Sequence, residues 1–135
     1  MIKRYLSWQD IEDAVERLAT NITNSEKKIV DIIGLPRGGL IPAVMLSHKL
    51  GVPLLSEEEE TETEEGYTLL VDDICDSGNT LQEYEEYDDI LTVTLHYKSS
   101  ASVEPDFWWR LAPENEWIVY PWENKDSETI QDYKK

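Results

Sequence analysis

The residues best suited to chemistry lie in one short stretch, Leu69-Leu70-Val71-Asp72-Asp73-Ile74-Cys75-Asp76-Ser77-Gly78-Asn79-Thr80. Two acids follow an apolar run, and a small hydroxyl-bearing turn follows the acids. Ionised carboxylates only accept hydrogen bonds, so Asp72 and Asp73 suit the vicinal hydroxyls of a ribose. The turn Ser77-Gly78-Asn79-Thr80, placed ahead of a helix, offers backbone N–H groups and hydroxyls that can surround a phosphate. Gly78 lets the backbone come close to such a ligand. A diol site beside a phosphate site describes a pocket for ribose 5-phosphate.

Such a turn has to sit at the rim of a sheet, and the flanking pattern supplies one. Ser7 and Asp10 form a capping box. Ile11, Ala14, Val15, Leu18, Ala19 and Ile22 follow at helical spacing, which predicts a helix over residues 7–23. Ile- and Val-rich residues 29–33 read as a buried strand bounded by Gly34, followed by the loop Pro36-Arg37-Gly38-Gly39. Residues 40–50 read as a helix closed by Gly51, 52–55 as a short strand, 67–71 as a buried strand, 80–87 as a short helix and 90–97 as a strand. This alternation predicts an α/β domain with a mainly parallel sheet. Ligands of such sheets bind beyond the carboxyl ends of the strands, where both loops fall.

The chain of 135 residues fits one domain, 1–135. Its net charge of −17 argues against nucleic-acid and anionic-membrane partners, because both demand cationic patches. No apolar run approaches a membrane span, and the single cysteine, Cys75, suits a reducing, cytoplasmic setting. Glutamates crowd the segment at about 56–66, which predicts a solvated, flexible loop. A polar tail is expected from about 124 to 135.

The stretch around Asp72 resembles the phosphoribosyl-diphosphate loop of type I phosphoribosyltransferases, in which an apolar strand, two acids, a spacer and a Thr/Ser-Gly-x-Thr turn occur in this order. Residues 32–39, Ile-Ile-Gly-Leu-Pro-Arg-Gly-Gly, resemble that family's pyrophosphate loop, with Arg37 as a planar fork for phosphate oxygens and Gly38 and Gly39 as backbone donors. Lys98 and the segment Glu116-Trp117-Ile118-Val119-Tyr120-Pro121-Trp122-Glu123 resemble the base-recognition elements of bacterial xanthine-guanine phosphoribosyltransferases.

This resemblance implies the single-domain type I fold, with a parallel sheet flanked by helices and a small hood from the terminal segments. It implies transfer of phosphoribose from phosphoribosyl diphosphate to a 6-oxopurine. Asp76 would be the catalytic acid facing N7 of the base. Asp72, Asp73, Ser77, Gly78, Asn79 and Thr80 would hold the phosphoribose, and Arg37, Gly38 and Gly39 the pyrophosphate. Lys98 would meet the 6-oxo group, Trp117 and Ile118 the base, and Glu123 would lie near its 2-position. Magnesium is implied as cofactor, near Asp72 and Asp73 and partly through ribose hydroxyls or water, and a homo-oligomer (dimer or tetramer) as the assembly. The short, Glu-rich loop departs from the family's closing loop. Two alternatives stand beside this reading: a non-catalytic sensor of phosphoribosyl diphosphate or nucleotide, and a transferase for another base. Cys75, His48 and His96 read as structural, and Trp108, Trp109 and Arg110 as packing residues.

Overall fold

A computed structural model describes residues 1–56 and 65–124. The acidic run at 57–64 and the tail from 125 lie outside the described residues. Strand β1 is Ile2–Tyr5 and helix α1 is Trp8–Asn24. Ser7 Oγ accepts from the Asp10 amide at 3.1 Å and Asp10 Oδ2 accepts from the Ser7 amide at 2.9 Å, so two orphan donors of the helix start are satisfied. Ile11, Ala14, Val15, Leu18 and Ile22 form its buried stripe. Strand β2, Ile29–Gly34, leads through the 35–39 loop to α2, Leu40–Leu50, which ends on Gly51 in the left-handed region at φ 68°. Edge strand β3 is only Leu54–Leu55. The predicted 52–55 strand starts late because Pro53 has no N–H to give a ladder.

Strand β4 is Tyr67–Cys75, β5 is Ile90–Tyr97 and β6 is Phe107–Leu111. The five strands run parallel in the order β3-β2-β4-β5-β6. Alternate residues divide the core, as period-two geometry requires. Leu69 and Val71 of β4, with Ile32 of β2, join the larger cluster beneath α1 and α2. Leu70 faces a smaller cluster with Leu35, Leu81 and Val103 on the other side, which Cys75 joins at the strand's end, past the point where the alternation holds. Strand β7, Glu116–Val119, pairs in parallel with β1 and forms a two-stranded hood from the terminal segments. Tyr120 and Ile118 carry the hood into the main core.

Two elements differ from the sequence reading. Strand β4 continues four residues past Val71, because β5 is long enough to pair with it as far as Cys75 opposite Tyr97. The helix expected at 80–87 is the single turn α3, Asn79–Gln82, followed by turns. Glu83, Glu85, Glu86, Asp88 and Asp89 would stack like charges at helical spacings, which opposes continuation. Among the described residues no helix is long and apolar enough to cross a membrane.

Candidate active site

Chain order reverses between β2 and β4. From β2 the chain moves to one edge of the sheet through α2 and β3; from β4 it moves to the other through β5 and β6. Loops leaving the carboxyl ends of two such neighbouring strands part in opposite directions and open a crevice. Here those loops are 35–39 and 76–78, so the two predicted phosphate-binding loops flank one crevice.

The first loop is fixed by its own glycines. Leu35 N–H donates to the Val71 carbonyl at 2.8 Å, which ties the loop to β4. A Cβ on Gly39 would lie 2.1 Å from that same carbonyl oxygen and 2.8 Å from the Leu35 oxygen. Gly39 is therefore a packing glycine. Its N–H donates to the Leu35 carbonyl at 2.8 Å, so it is not the open donor that the sequence suggested. The Gly38 amide makes no hydrogen bond among the described residues, and Arg37 is exposed and forms no ion pair among them. The Pro36–Arg37 peptide bond is cis.

The second loop is clamped by the connection between β5 and β6. Gly78 has φ 91°, a conformation that disfavours any side chain. A Cβ there would lie 2.4 Å from Ser102 Oγ. Ser102 N–H donates to the Ser77 carbonyl at 2.8 Å, and Asn79 N–H to Ser77 Oγ at 3.2 Å. Because α3 is one turn, helix-dipole attraction for an anion is small here. The turn's own amides and hydroxyls are what remains to hold a phosphate.

The three acids differ in exposure. Asp72 and Asp73 lie inside β4, 1 % and 2 % exposed, whereas the Asp76 side chain is 41 % exposed. Asp72 Oδ1 accepts from the Asp73 amide at 2.9 Å, and Asp73 Oδ1 from the Ile74 amide at 2.8 Å. Lys98, at the end of β5 and 6 % exposed, points its Nζ to Asp76 Oδ1 at 3.3 Å. Its amide donates to the Cys75 carbonyl at 3.0 Å. A buried ammonium and a half-exposed carboxylate thus share one spot beside the phosphate turn. Burial, and then the charges of Asp72 and Asp76, push the Cys75 thiol up to about 11, which disfavours the thiolate.

The hood closes over this end of the sheet. Trp117 is half-buried in β7 and Ile118 is 6 % exposed in the core. Glu123 Oε1 accepts from the Tyr120 amide at 2.8 Å, so this carboxylate caps its own turn. Tyr120, to which the sequence reading gave no role of its own, and His96, which it read as structural, join the hood to the acids. Tyr120 Oη donates to the Asp73 carbonyl at 3.1 Å, and His96 Nδ1 lies 2.8 Å from Tyr120 Oη. Arg4 pairs with Glu116 at the hood's edge and holds that carboxyl below its usual range.

Asp72 and Asp73 offer only oxygen, the donor type that magnesium takes. No group of three or more His, Cys, Asp or Glu among the described residues could hold a metal ion. The oxygen chemistry of either carboxylate fits a magnesium that draws its other ligands from water and substrate oxygens.

No family profile matches the chain. The purine phosphoribosyltransferase of Pyrococcus horikoshii, a solved structure, is 33 % identical with a TM-score of 0.76, covering 92 % of this chain and 96 % of that one. The chain belongs to the purine phosphoribosyltransferase family. A curated xanthine-guanine phosphoribosyltransferase of Idiomarina loihiensis is 27 % identical over 140 residues, covering 88 % of this chain and 86 % of the relative. A Neisseria gonorrhoeae protein solved with bound ppGpp is 26 % identical, with a TM-score of 0.72 and coverage of 93 % and 91 %.

Proposed function

We propose that this chain transfers the phosphoribosyl group of phosphoribosyl diphosphate to a 6-oxopurine (xanthine, guanine or hypoxanthine) and releases pyrophosphate. The observation that carries the reading is the Lys98–Asp76 pair at 3.3 Å beside the 77–80 turn. One edge of a 6-oxopurine presents an acceptor, the 6-oxo oxygen, next to a nitrogen that can carry a proton. A cation and a carboxylate side by side complement that edge, whereas the 6-amine of adenine would meet the ammonium donor to donor. Lys98 meets the oxygen and Asp76, the most open of the three acids, takes the proton at N7.

The rest of the site supports positioning and charge stabilisation, which suit a reaction whose transition state resembles an oxocarbenium ion. Ser77, Gly78, Asn79 and Thr80 hold the 5-phosphate, and Asp72 and Asp73 the ribose diol. Arg37 and the Gly38 amide hold the pyrophosphate, with Gly39 shaping the loop behind them. Trp117 stacks on the base, Ile118, with its side chain in the core, offers the base edge only its backbone, and Glu123 sets the turn beside it. Magnesium would be held by Asp72 and Asp73, partly through ribose hydroxyls or water, and would supply charge neutralisation for the leaving pyrophosphate. The chain acts as one domain over 1–135 in a reducing cytoplasm, which the lone buried thiol suits. A homo-oligomer is supported by Leu40 and Val44 of α2 and Leu54 of β3, all exposed apolar residues.

The test is pyrophosphate release from phosphoribosyl diphosphate and magnesium with xanthine, guanine, hypoxanthine, adenine and uracil offered separately. Release with oxopurines only, lowered roughly 100-fold or more in Asp76→Asn, is the expected result. Release with adenine or uracil instead would reassign the base. The neighbour holding ppGpp favours a second reading, a nucleotide sensor. Binding without release across the whole panel would establish that reading in place of the first.

A further inference from the structure

Strand β4 outruns one of its neighbours at the acids. Its last pairing with β2 is Val71 opposite Gly34. The register with β5 sets Asp72 opposite Thr94 and Ile74 opposite His96, so Asp73 lies between two paired positions of this ladder. A hold on this stretch comes from outside the sheet, where Tyr120 Oη donates to the Asp73 carbonyl at 3.1 Å. That carbonyl and the Ile74 N–H are the two ends of one planar peptide group. The Ile74 N–H donates to Asp73 Oδ1 at 2.8 Å. Fixing the oxygen end of this plane therefore fixes the donor that orients the carboxylate.

We propose that Tyr120, oriented by His96, is a positioning residue for the Asp73 carboxylate and hence for phosphoribosyl-diphosphate binding. The protons are assigned by elimination. A carbonyl only accepts, so the single phenolic proton goes to Asp73. The contact at 2.8 Å to His96 Nδ1 then needs a proton on that nitrogen, which selects the Nδ1–H tautomer of a neutral imidazole. The pair is shielded on every side: Tyr120 is 2 % and His96 4 % exposed. Trp109 abuts the His96 ring at 5.6 Å in a T-shape, and Trp122 stacks on Tyr120 at 5.0 Å. Water thus cannot easily replace either bond. Tyr120 also follows β7 directly, so the hood that carries Trp117 is tethered to the acid through one hydroxyl.

This inference rests on the proposed function, since it assumes that Asp73 faces the substrate's ribose. Its test uses Tyr120→Phe, His96→Gln and His96→Leu in the full chain. Calorimetric affinity for phosphoribosyl diphosphate with magnesium is measured alongside KM for each substrate and thermal melting. Tyr120→Phe is expected to weaken phosphoribosyl-diphosphate binding at least tenfold while KM for the oxopurine stays within about twofold. His96→Gln, which keeps a donor, is expected to retain more of the affinity than His96→Leu. Unchanged affinity in folded Tyr120→Phe, or an equal rise in both KM values, overturns the inference while leaving the function standing. If the wild type releases no pyrophosphate, the functional reading fails and the binding arm still decides the role of Tyr120. Wild-type protein that does not bind phosphoribosyl diphosphate sinks both.

Discussion

At the residue scale, His96 is held neutral by its surroundings. Burial first, then the charges of Arg110 and Arg4, bring its pKa down to about 4, with Asp10 and Glu116 pulling the other way. In the unfolded chain the imidazole takes a proton near pH 6.5; in the folded chain it does so only near pH 4. Its contribution to stability is complete above pH 6.5 and is lost as pH falls from there to about 4. At 1.36 kcal/mol per pKa unit the loss is about 3 kcal/mol. His96→Gln keeps a hydrogen-bond donor and does not titrate. Urea unfolding at pH 7 and pH 4.5 should therefore show the wild type losing about 2–3 kcal/mol more than this variant. Equal losses would place the histidine in water. Nothing in the sequence marks His96 out, because its partner Tyr120 is 24 positions away in a run without regular period. By contrast, Asp72, Asp73, Asp76 and the 77–80 turn were legible, since one strand and one turn place them consecutively.

At the element scale, what was legible followed from periodicity. The stripe of α1, its capping box and the strands β2 and β5 stood in the sequence because each has a local pattern with one buried face. Strands β1, β6 and β7 were not legible. β1 is exposed along its whole length, and β6 (Phe-Trp-Trp-Arg-Leu) buries no single face. Both become strands only because a neighbour supplies a ladder edge. The crevice likewise depends on sheet order, which no local pattern encodes. Gly39 of the 35–39 loop and Gly51 at the end of α2 separate packing from conformation and give a paired prediction. Gly39→Ala sets a methyl 2.1 Å from the Val71 oxygen, so the 35–39 loop must move off β4. Denaturant unfolding should show a loss of about 3 kcal/mol or more, and pyrophosphate inhibition should weaken markedly. Gly51→Ala meets open space at φ 68°, so only its left-handed backbone is strained. It should cost about 1–2 kcal/mol and leave pyrophosphate inhibition as it was. Equal effects of the two on inhibition would mean that the 35–39 loop does not touch the ligand.

At the scale of the whole molecule, the charge works against the proposed ligand. The chain carries −17, and from Leu50 to Tyr97 it contains no lysine or arginine. Phosphoribosyl diphosphate is a polyanion, and the cations that the proposed site offers it are Arg37 and Lys98, the second already beside Asp76. A protein that steers an anionic substrate loses affinity as salt rises, because screening removes the attraction. Here the long-range field is repulsive, so screening should act with the opposite sign. Raising KCl from ~0.05 to ~0.5 M shortens the Debye length from over ~10 Å to about 4 Å. Two consequences are expected together: the melting temperature rises as self-repulsion is relieved, and affinity for magnesium phosphoribosyl diphosphate holds or improves. Calorimetric melting and titration in KCl, NaCl and tetramethylammonium chloride at matched ionic strength check both. Equal shifts in the three salts identify screening, and a shift confined to one cation identifies a bound ion. A melting temperature that falls with every salt would show that local ion pairs such as Arg4–Glu116, rather than net charge, dominate the electrostatics of the fold.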